Sequence, residues 1–237
     1  MKQAVLLCAG LGTRLRPYTE TVPKPMIPIL GKPLTEWNIV QLKKYGAEEI
    51  FISLYYLADV VKDYFGDGSK WGVKIKYHVD PLEYETAGRL KQFAPDLGDE
   101  FFVIYGDILS LVDYGKMEAA WHRLPSDAIG MQRVARTDHY ADSDVAELDR
   151  DGKFIATHSK PHAEIYKNAY RMRGIFILKR GIFSYIENTT DQIGKDMLSK
   201  AVAAHEKFYG YECNDYSKGI DTVEKWKEAE EYLKRTI

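Results

Sequence analysis

Residues 5–28, VLLCAGLGTRLRPYTETVPKPMIP, decide how the rest of the chain is read. Val5, Leu6, Leu7 and Cys8 form an apolar run of strand length, and Ala9, Gly10 and Gly12 follow at once. A buried strand therefore empties into a loop nearly free of side chains. Such a loop lets backbone N–H groups come close to an anion, and Arg14, Arg16 and Lys24 supply cations for a ligand carrying several negative charges. The ligand expected from this pattern is a polyphosphate. Pro23 and Pro25 restrict the backbone on both sides of Lys24, so its ammonium is presented from a stiff segment. Spacing excludes two common phosphate loops: Leu15 stands where a dinucleotide fingerprint needs its third glycine, and no Gly-Lys-Ser/Thr follows Gly10 or Gly12.

Composition narrows the field. At 237 residues and 45% apolar content the chain fits one large α/β domain or two small ones, one domain being the simpler reading. A formal net charge of −2 with 29% charged residues offers no basic field for nucleic acid. No segment reaches the ~18 uninterrupted apolar residues of a membrane span, and the N-terminus runs into the first strand without a signal peptide, which predicts a cytoplasmic protein. Cys8 and Cys213 lie far apart and form no CxxC pair, so neither a zinc site nor a disulfide framework is expected. His158 and His162 are four apart, but Pro161 between them argues for a loop and against a helical metal site.

In chain order, Thr35 is the expected cap of a helix carrying Trp37, Val40, Leu42 and Tyr45, and Gly46 ends it. Strands are expected at 50–54 and 73–79 with a short helix at 60–65 between them. This strand-helix alternation favours a right-handed parallel sheet whose ligands collect at the strands' carboxyl ends. The loop from Asp80 to Gly88 lies at such an end. Asp80 could accept hydrogen bonds from a base edge, and Thr86, Ala87 and Gly88 would let a flat base lie against backbone; the alternative is an ordinary polar loop capping a helix from Arg89. A fourth strand at 101–105 ends in Gly106-Asp107, where a carboxylate beyond a glycine that keeps the approach open suits Mg²⁺ beside a triphosphate. Further strands are read at 128–134, 145–148, 154–157, 172–178 and 208–213, with Asp149-Arg150-Asp151-Gly152 as a hairpin turn. Helices are read at 182–186, 193–202 and 223–233.

Gly12-Thr13-Arg14-Leu15 followed by Pro23-Lys24-Pro25 resembles the signature of the sugar-1-phosphate nucleotidyltransferases, or nucleotide-sugar pyrophosphorylases. The run His158-Ser159-Lys160-Pro161-His162 looks most like the mannose/heptose-1-phosphate guanylyltransferase branch. The resemblance covers the whole chain. It implies a single-domain, Rossmann-like α/β fold with a mixed, mainly parallel sheet flanked by helices. Its nucleotide-binding half would span about 1–125 and its sugar-phosphate-binding half about 126–237. It further implies that Arg14, Lys24 and Asp107 are catalytic and that Leu7, Ala9, Gly10, Gly12, Thr13, Asp80, Thr86, Ala87 and Gly88 bind the nucleotide. Asp144, Lys160 and Gly174 would bind the sugar phosphate, and Asp107 with Asp221 would hold Mg²⁺, for which Mn²⁺ can substitute.

The reaction implied joins an NTP to a sugar 1-phosphate and releases pyrophosphate; the nucleophile is already an oxyanion and needs no general base. GTP is favoured because one carboxylate, Asp80, can accept both N1–H and N2–H₂ of guanine. For a manno-configured sugar, Asp142-Ser143-Asp144 supplies acceptors for several hydroxyls and the missing carboxylate at Ser159 argues against the usual glucose contact; heptose ahead of mannose is what the resemblance implies. Several positions depart from the family pattern. Cys8-Ala9-Gly10 replaces Ala-Gly-Gly, Glu85 replaces a glycine, Ser159 replaces the glutamate of Glu-Lys-Pro, and Met172-Arg173-Gly174 replaces Asn-Ala-Gly. Gly219-Ile220-Asp221-Thr222 stands where Asp-Ile-Gly-Thr is usual, so Asp221 either ligates the metal or caps the last helix while Asp215 or water completes the site. Uridylyl, thymidylyl or cytidylyl transfer to another sugar or alcohol phosphate is the nearest alternative. A catalytically silent, nucleotide-sugar-sensing regulator is the alternative of another class. The sequence ends where the family's catalytic domain ends, so no left-handed β-helix acyltransferase domain is expected, and a homodimer is compatible with the pattern.

Overall fold

The computed structural model describes residues 1–136, 143–162, 166 and 169–236. Along the chain it forms β1 (Gln3–Leu7), β2 (Pro28–Ile29), β3 (Lys32–Pro33), α1 (Leu34–Lys44), β4 (Glu49–Leu54), α2 (Ala58–Phe65), β5 (Lys74–Val79), α3 (Thr86–Lys91) and β6 (Glu100–Tyr105). There follow β7 (Ile108–Ser110), α4 (Tyr114–Trp121), β8 (Ala128–Arg136), β9 (Val145–Leu148), β10 (Phe154–His158), β11 (Ala169–Lys179), α5 (Ser199–Ala203), β12 (Lys207–Glu212), β13 (Ser217–Gly219) and α6 (Val223–Thr236). The architecture is the expected mixed, mainly parallel sheet flanked by helices. Two compact units emerge, one of residues Met1–Leu82, Ile104–Tyr114 and Asp215–Ile237, the other of Glu83–Val103 and Gly115–Asn214.

In the first unit β1, β4 and β5 pair in parallel, Leu7 opposite Ser53 and Ser53 opposite His78. Ala4 to Leu7 and Ile50 to Leu54 are buried without alternation, as strands covered on both faces must be. One apolar cluster then gathers distant pieces of chain: Leu15, Ile27, Ile29, Leu34, Leu109, Ile220, Ala229 and Leu233 are each at most 1% exposed and pack together. Each segment that bears a candidate site residue in this unit's glycine loop, lysine turn, Asp107 strand end and Asp221 approach contributes a member. The helix α1 begins differently from expectation. Pro33 occupies the cap position, and Thr35 lies inside the first turn, buried, with its hydroxyl 3.8 Å from the Cys8 thiol. Buried Asn38 reaches from α1 to β7, donating to the Ile108 carbonyl at 2.7 Å and accepting from the Ser110 N–H at 3.2 Å. The strands β7 and β13, absent from the sequence reading, pair antiparallel with Gly219 opposite Ile108.

In the second unit β11 runs antiparallel to both β8 and β9, β10 returns beside β9, and β12 lies parallel to β8. The turn between β9 and β10 is the expected one. Gly152 takes φ +80°, and Asp149 Oδ1 accepts from the N–H groups of Asp151 and Lys153, both at 2.9 Å. The helix expected at 193–202 is split, with a π-helical turn at Ile193–Leu198 followed by the short α5. The helix expected at 182–186 is a 3₁₀ stretch, Arg180–Tyr185.

Candidate active site

The glycine loop and the lysine turn interlock. After β1, Gly12 adopts φ +65°, a conformation open to glycine at little cost. A Cβ on Gly12 would also fall 2.9 Å from Thr19 Cγ2 and 3.2 Å from Lys24 Cβ. The Thr19 hydroxyl donates to the Gly12 carbonyl at 2.8 Å. Thr13, Arg14 and Leu15 then form one 3₁₀ turn, closed by the Leu15 N–H on the Gly12 carbonyl at 2.9 Å, which buries Leu15 and leaves Arg14 outward. A second 3₁₀ turn, Lys24–Met26, follows extended Pro23. Leu7 and Ala9 are buried, Gly12 is half-buried, and Gly10 and Thr13 are exposed, so the loop itself is the accessible part.

Lys24 is 9% exposed, and its ammonium donates to Asp107 Oδ2 at 2.8 Å. This joins the turn to the end of β6. Gly106 is needed there for a reason opposite to the expected open approach. A Cβ would lie 2.3 Å from the Cys8 thiol sulfur and 2.9 Å from the Leu7 carbonyl oxygen, while the Gly106 N–H donates to that carbonyl at 2.8 Å. The missing side chain thus lets the Asp107 turn press against the end of β1. Burial also pushes the Cys8 thiol up to about 12.

Asp221 enters from the approach to α6. The Ile220 N–H donates to the Asp107 carbonyl at 2.7 Å, which brings the two aspartate-bearing segments side by side. Asp221 Oδ2 is 2.8 Å from the Arg14 guanidinium and Oδ1 is 2.8 Å from the Lys225 ammonium. Burial works to raise the Asp221 carboxyl, but Lys225, Arg14 and Lys24 outweigh it and hold the group below the ordinary carboxylate value. The cap of α6 is Thr222, whose hydroxyl accepts from the Lys225 N–H at 3.3 Å, so Asp221 is not spent on that task. Asp215 accepts from the Asp113 N–H at 3.0 Å and braces the loop after β7. Lys225 is the site residue that sequence reading missed; the spacing of four from Asp221 onto a helix was the available signal.

The donor set suits a small divalent cation. Asp107 Oδ1 has no partner among the described residues, and Asp221 Oδ1 is buried with the Lys225 ammonium beside it. Two hard carboxylates are what Mg²⁺ commonly takes from protein when phosphates and water complete its shell.

Asp80 requires a correction. Its side chain is fully buried, the Ser53 hydroxyl donates to Oδ2, and His78 Nδ1 lies 2.8 Å from Oδ1. Both oxygens are occupied by β4 and β5, so the carboxylate is not presented to a base edge. Glu85, Thr86, Ala87 and Gly88 are likewise committed within the second unit. The Glu85 N–H donates to the Thr189 carbonyl at 2.9 Å, Ala87 N–H to the Asp191 carbonyl at 3.0 Å, and the Thr86 hydroxyl accepts from the Ile193 N–H at 2.9 Å. A Cβ on Gly88 would lie 1.9 Å from the Thr189 oxygen, so close packing explains that glycine.

On the sugar side, Asp144 and Lys160 do meet: the Lys160 N–H donates to Asp144 Oδ1 at 3.2 Å, and the Lys160 residue is exposed. Asp144 Oδ2 stands 3.0 Å from the position of a Cβ on Gly194. Gly174 is buried in β11 where the register against β8 shifts, between Met172 and Phe176. His158 Nε2 is 2.7 Å from Glu147 Oε1, and His162 Nε2 is 2.8 Å from the Ser143 carbonyl. Asp142 lies outside the described residues.

A parallel sheet whose strand ends carry an interlocked glycine loop and two cation–aspartate pairs defines an α/β protein with its candidate site at the strands' carboxyl ends. A solved structure of a putative glucose-1-phosphate thymidylyltransferase from Bacillus anthracis shares this fold with a TM-score of 0.85 at 20% identity, over 100% of this chain and 96% of that one. The profile of the nucleotidyl transferase family matches residues 3–229, and the chain belongs to that family. Among relatives, the UTP–glucose-1-phosphate uridylyltransferase of Synechocystis is 30% identical over 220 residues, 87% of this chain and 57% of that protein. The D-glycero-α-D-manno-heptose 1-phosphate guanylyltransferase of Campylobacter jejuni is 31% identical over 183 residues, 77% of this chain and 78% of that protein. The chain thus spans little more than half the length of the uridylyltransferase and most of that of the guanylyltransferase.

Proposed function

We propose that this chain transfers a nucleotidyl group from an NTP to a sugar 1-phosphate, giving an NDP-sugar and pyrophosphate. The observation that carries the reading is the paired set Lys24–Asp107 and Arg14–Asp221, two cations and two carboxylates drawn to the glycine loop by a shared core. In the reaction a phosphate oxygen of the sugar phosphate forms a bond to the α-phosphorus, and the bond from that phosphorus to the bridging oxygen of the β-phosphate breaks. Backbone N–H groups of the Gly10–Thr13 loop bind the phosphates, and Arg14 stabilises charge on the β and γ groups. Lys24 serves the α-phosphate, where charge grows most in the transition state. Asp107 and Asp221 would hold Mg²⁺, or Mn²⁺ in its place, which supplies charge neutralisation for the triphosphate when bound. Lys160 binds the incoming sugar phosphate and Asp144 accepts from sugar hydroxyls. No proton needs to be removed from the nucleophile, which accords with a site of cations and carboxylates.

For the substrates we propose GTP with a manno-configured sugar phosphate, heptose 1-phosphate ahead of mannose 1-phosphate. Support comes from the Campylobacter jejuni guanylyltransferase, which matches over most of both chains. The Asp80 carboxylate does not contribute to this preference, because Ser53 and His78 consume it. The uridylyl reading has its own support in the Synechocystis relative, 30% identical over 220 residues. Pyrophosphate release from a panel of GTP, UTP, dTTP, CTP and ATP against heptose, mannose and glucose 1-phosphates tests both levels. Release with some pair in the panel is the expected outcome, and GTP with heptose 1-phosphate is expected to give the highest kcat/KM. UTP or dTTP ahead by tenfold replaces the guanylyl reading; no release with any pair rejects the enzymatic one in favour of a sensing role.

A further inference from the structure

Asp221 is met by one more cation than the proposed reaction uses. Arg14 takes Oδ2, but Lys225, one turn into α6, lies 2.8 Å from Oδ1. The Lys225 ammonium and the buried Asp221 Oδ1 form a close charge pair at the mouth of α6. Thr222 fixes the Lys225 backbone through its hydroxyl, so the lysine stem leans back over the carboxylate from a set position. A charge of the right sign therefore stands at the oxygen that a metal would take. A small hard cation at Oδ1 would take that same oxygen as a direct ligand, in the place the ammonium fills.

We infer that Lys225 is a resident placeholder for the divalent cation, a positioning residue that holds Asp221 in the ligand-free protein and yields Oδ1 when the metal arrives. The inference rests on the reading of Asp107 and Asp221 as metal ligands. A carboxylate already facing Arg14 and Lys225 attracts a third cation weakly, so Lys225 sets a low metal affinity for the nucleotide-free protein. A bound triphosphate reverses this by drawing Arg14 toward its β and γ groups and adding negative charge of its own. Metal and nucleotide then bind with positive coupling, and by reciprocity each raises the other's affinity equally. The chain thereby avoids holding metal without nucleotide.

The test is direct binding of Mn²⁺ to the full chain, read from the electron paramagnetic resonance signal of free Mn²⁺, with and without a non-hydrolysable NTP analogue. Lys225→Met is expected to bind Mn²⁺ several-fold more tightly than wild type in the absence of nucleotide, the gap closing once the analogue is present. Lys225→Arg, which keeps the charge, is expected to behave like wild type. Lys225→Gln serves as a second neutral variant, and thermal melts establish that each variant is folded. Mn²⁺ binding that is unchanged or weaker in both neutral variants, while Asp221→Asn still abolishes it, overturns the placeholder and leaves the metal reading standing. Wild type that binds no Mn²⁺ even with the analogue, or binding indifferent to Asp107→Asn and Asp221→Asn, overturns the metal reading and the placeholder with it.

Discussion

The candidate residues of the first unit and those of the second are held in different ways. Lys24 with Asp107 and Arg14 with Asp221 form two side-chain ion pairs, and a single apolar cluster with members at most 1% exposed anchors the segments that carry them. Asp144 and Lys160 are tied through a backbone N–H, with Lys160 itself exposed. The first arrangement fixes its charges in place, as the proposed reaction requires where a phosphate is met at one distance and angle. The second holds an exposed lysine through its backbone. Mutations should therefore divide along the same line, chemistry on one side and affinity on the other.

The largest effect is expected at Lys24. Lys24→Met removes a charge used mainly in the transition state, and turnover should fall by about 100-fold or more with the fold retained. Stopped turnover assays beside a melt check this; near wild-type kcat would remove Lys24 from the chemistry and erase the contrast between the two sides. At Lys160 the expected loss is smaller and of another kind. Lys160→Ala should raise KM for the sugar phosphate about tenfold, the worth of one charged hydrogen bond, with kcat and the NTP KM little changed. A fall in kcat alone would show that the sugar side also shapes the transition state.

Asp80→Asn sharpens the comparison by testing a carboxylate that is packed like the first group yet serves structure. Exchanging it disturbs the Ser53 and His78 contacts, and unfolding in urea should show a loss of about 1–3 kcal/mol, with nucleotide preference unchanged. A shift in the ranking of GTP against UTP would return Asp80 to base recognition. The smallest effect concerns pH. The folded Asp221 carboxyl lies below its ordinary value, so the unfolded chain binds the proton more readily. Its stabilising contribution is present above the ordinary carboxylate value and disappears as pH falls through the lowered folded value. Asp221→Asn should therefore flatten a small part of the acid limb of the stability curve and leave the neutral to alkaline part parallel to wild type; an unchanged acid limb would mean the three cations do not hold Asp221 ionised.

Much of the fold could be read from local pattern. The runs at 5–8 and 50–54 are apolar throughout because both strand faces are covered, and the turn at Asp149–Gly152 announces itself by residue type. The cations of the loop were legible for a similar reason, since Arg14 and Lys24 sit in short segments whose glycines and prolines limit the backbone. What stayed hidden depends on partners supplied from elsewhere. Asp80 is consumed because the parallel register sets Ser53 opposite His78, and nothing near Asp80 in sequence reports that alignment. Gly106 and Gly88 looked like openings for a ligand, yet each makes room for backbone from a distant segment, Leu7 and Cys8 in one case and Thr189 in the other. Thr35 had the composition of a cap but was drawn inside the helix by the Pro33 turn before it.

Gly12 has a mechanical consequence. Its missing side chain is filled on one side by Thr19 and on the other by the root of Lys24, so three segments share one contact point. Loop and lysine therefore travel as a single part, like the jaw and tooth of one tool, and a shift imposed on either is delivered to the other without slack. The reach of the lysine cannot be retuned by altering it alone; any enlargement at position 12 would displace Lys24 and the glycine loop together.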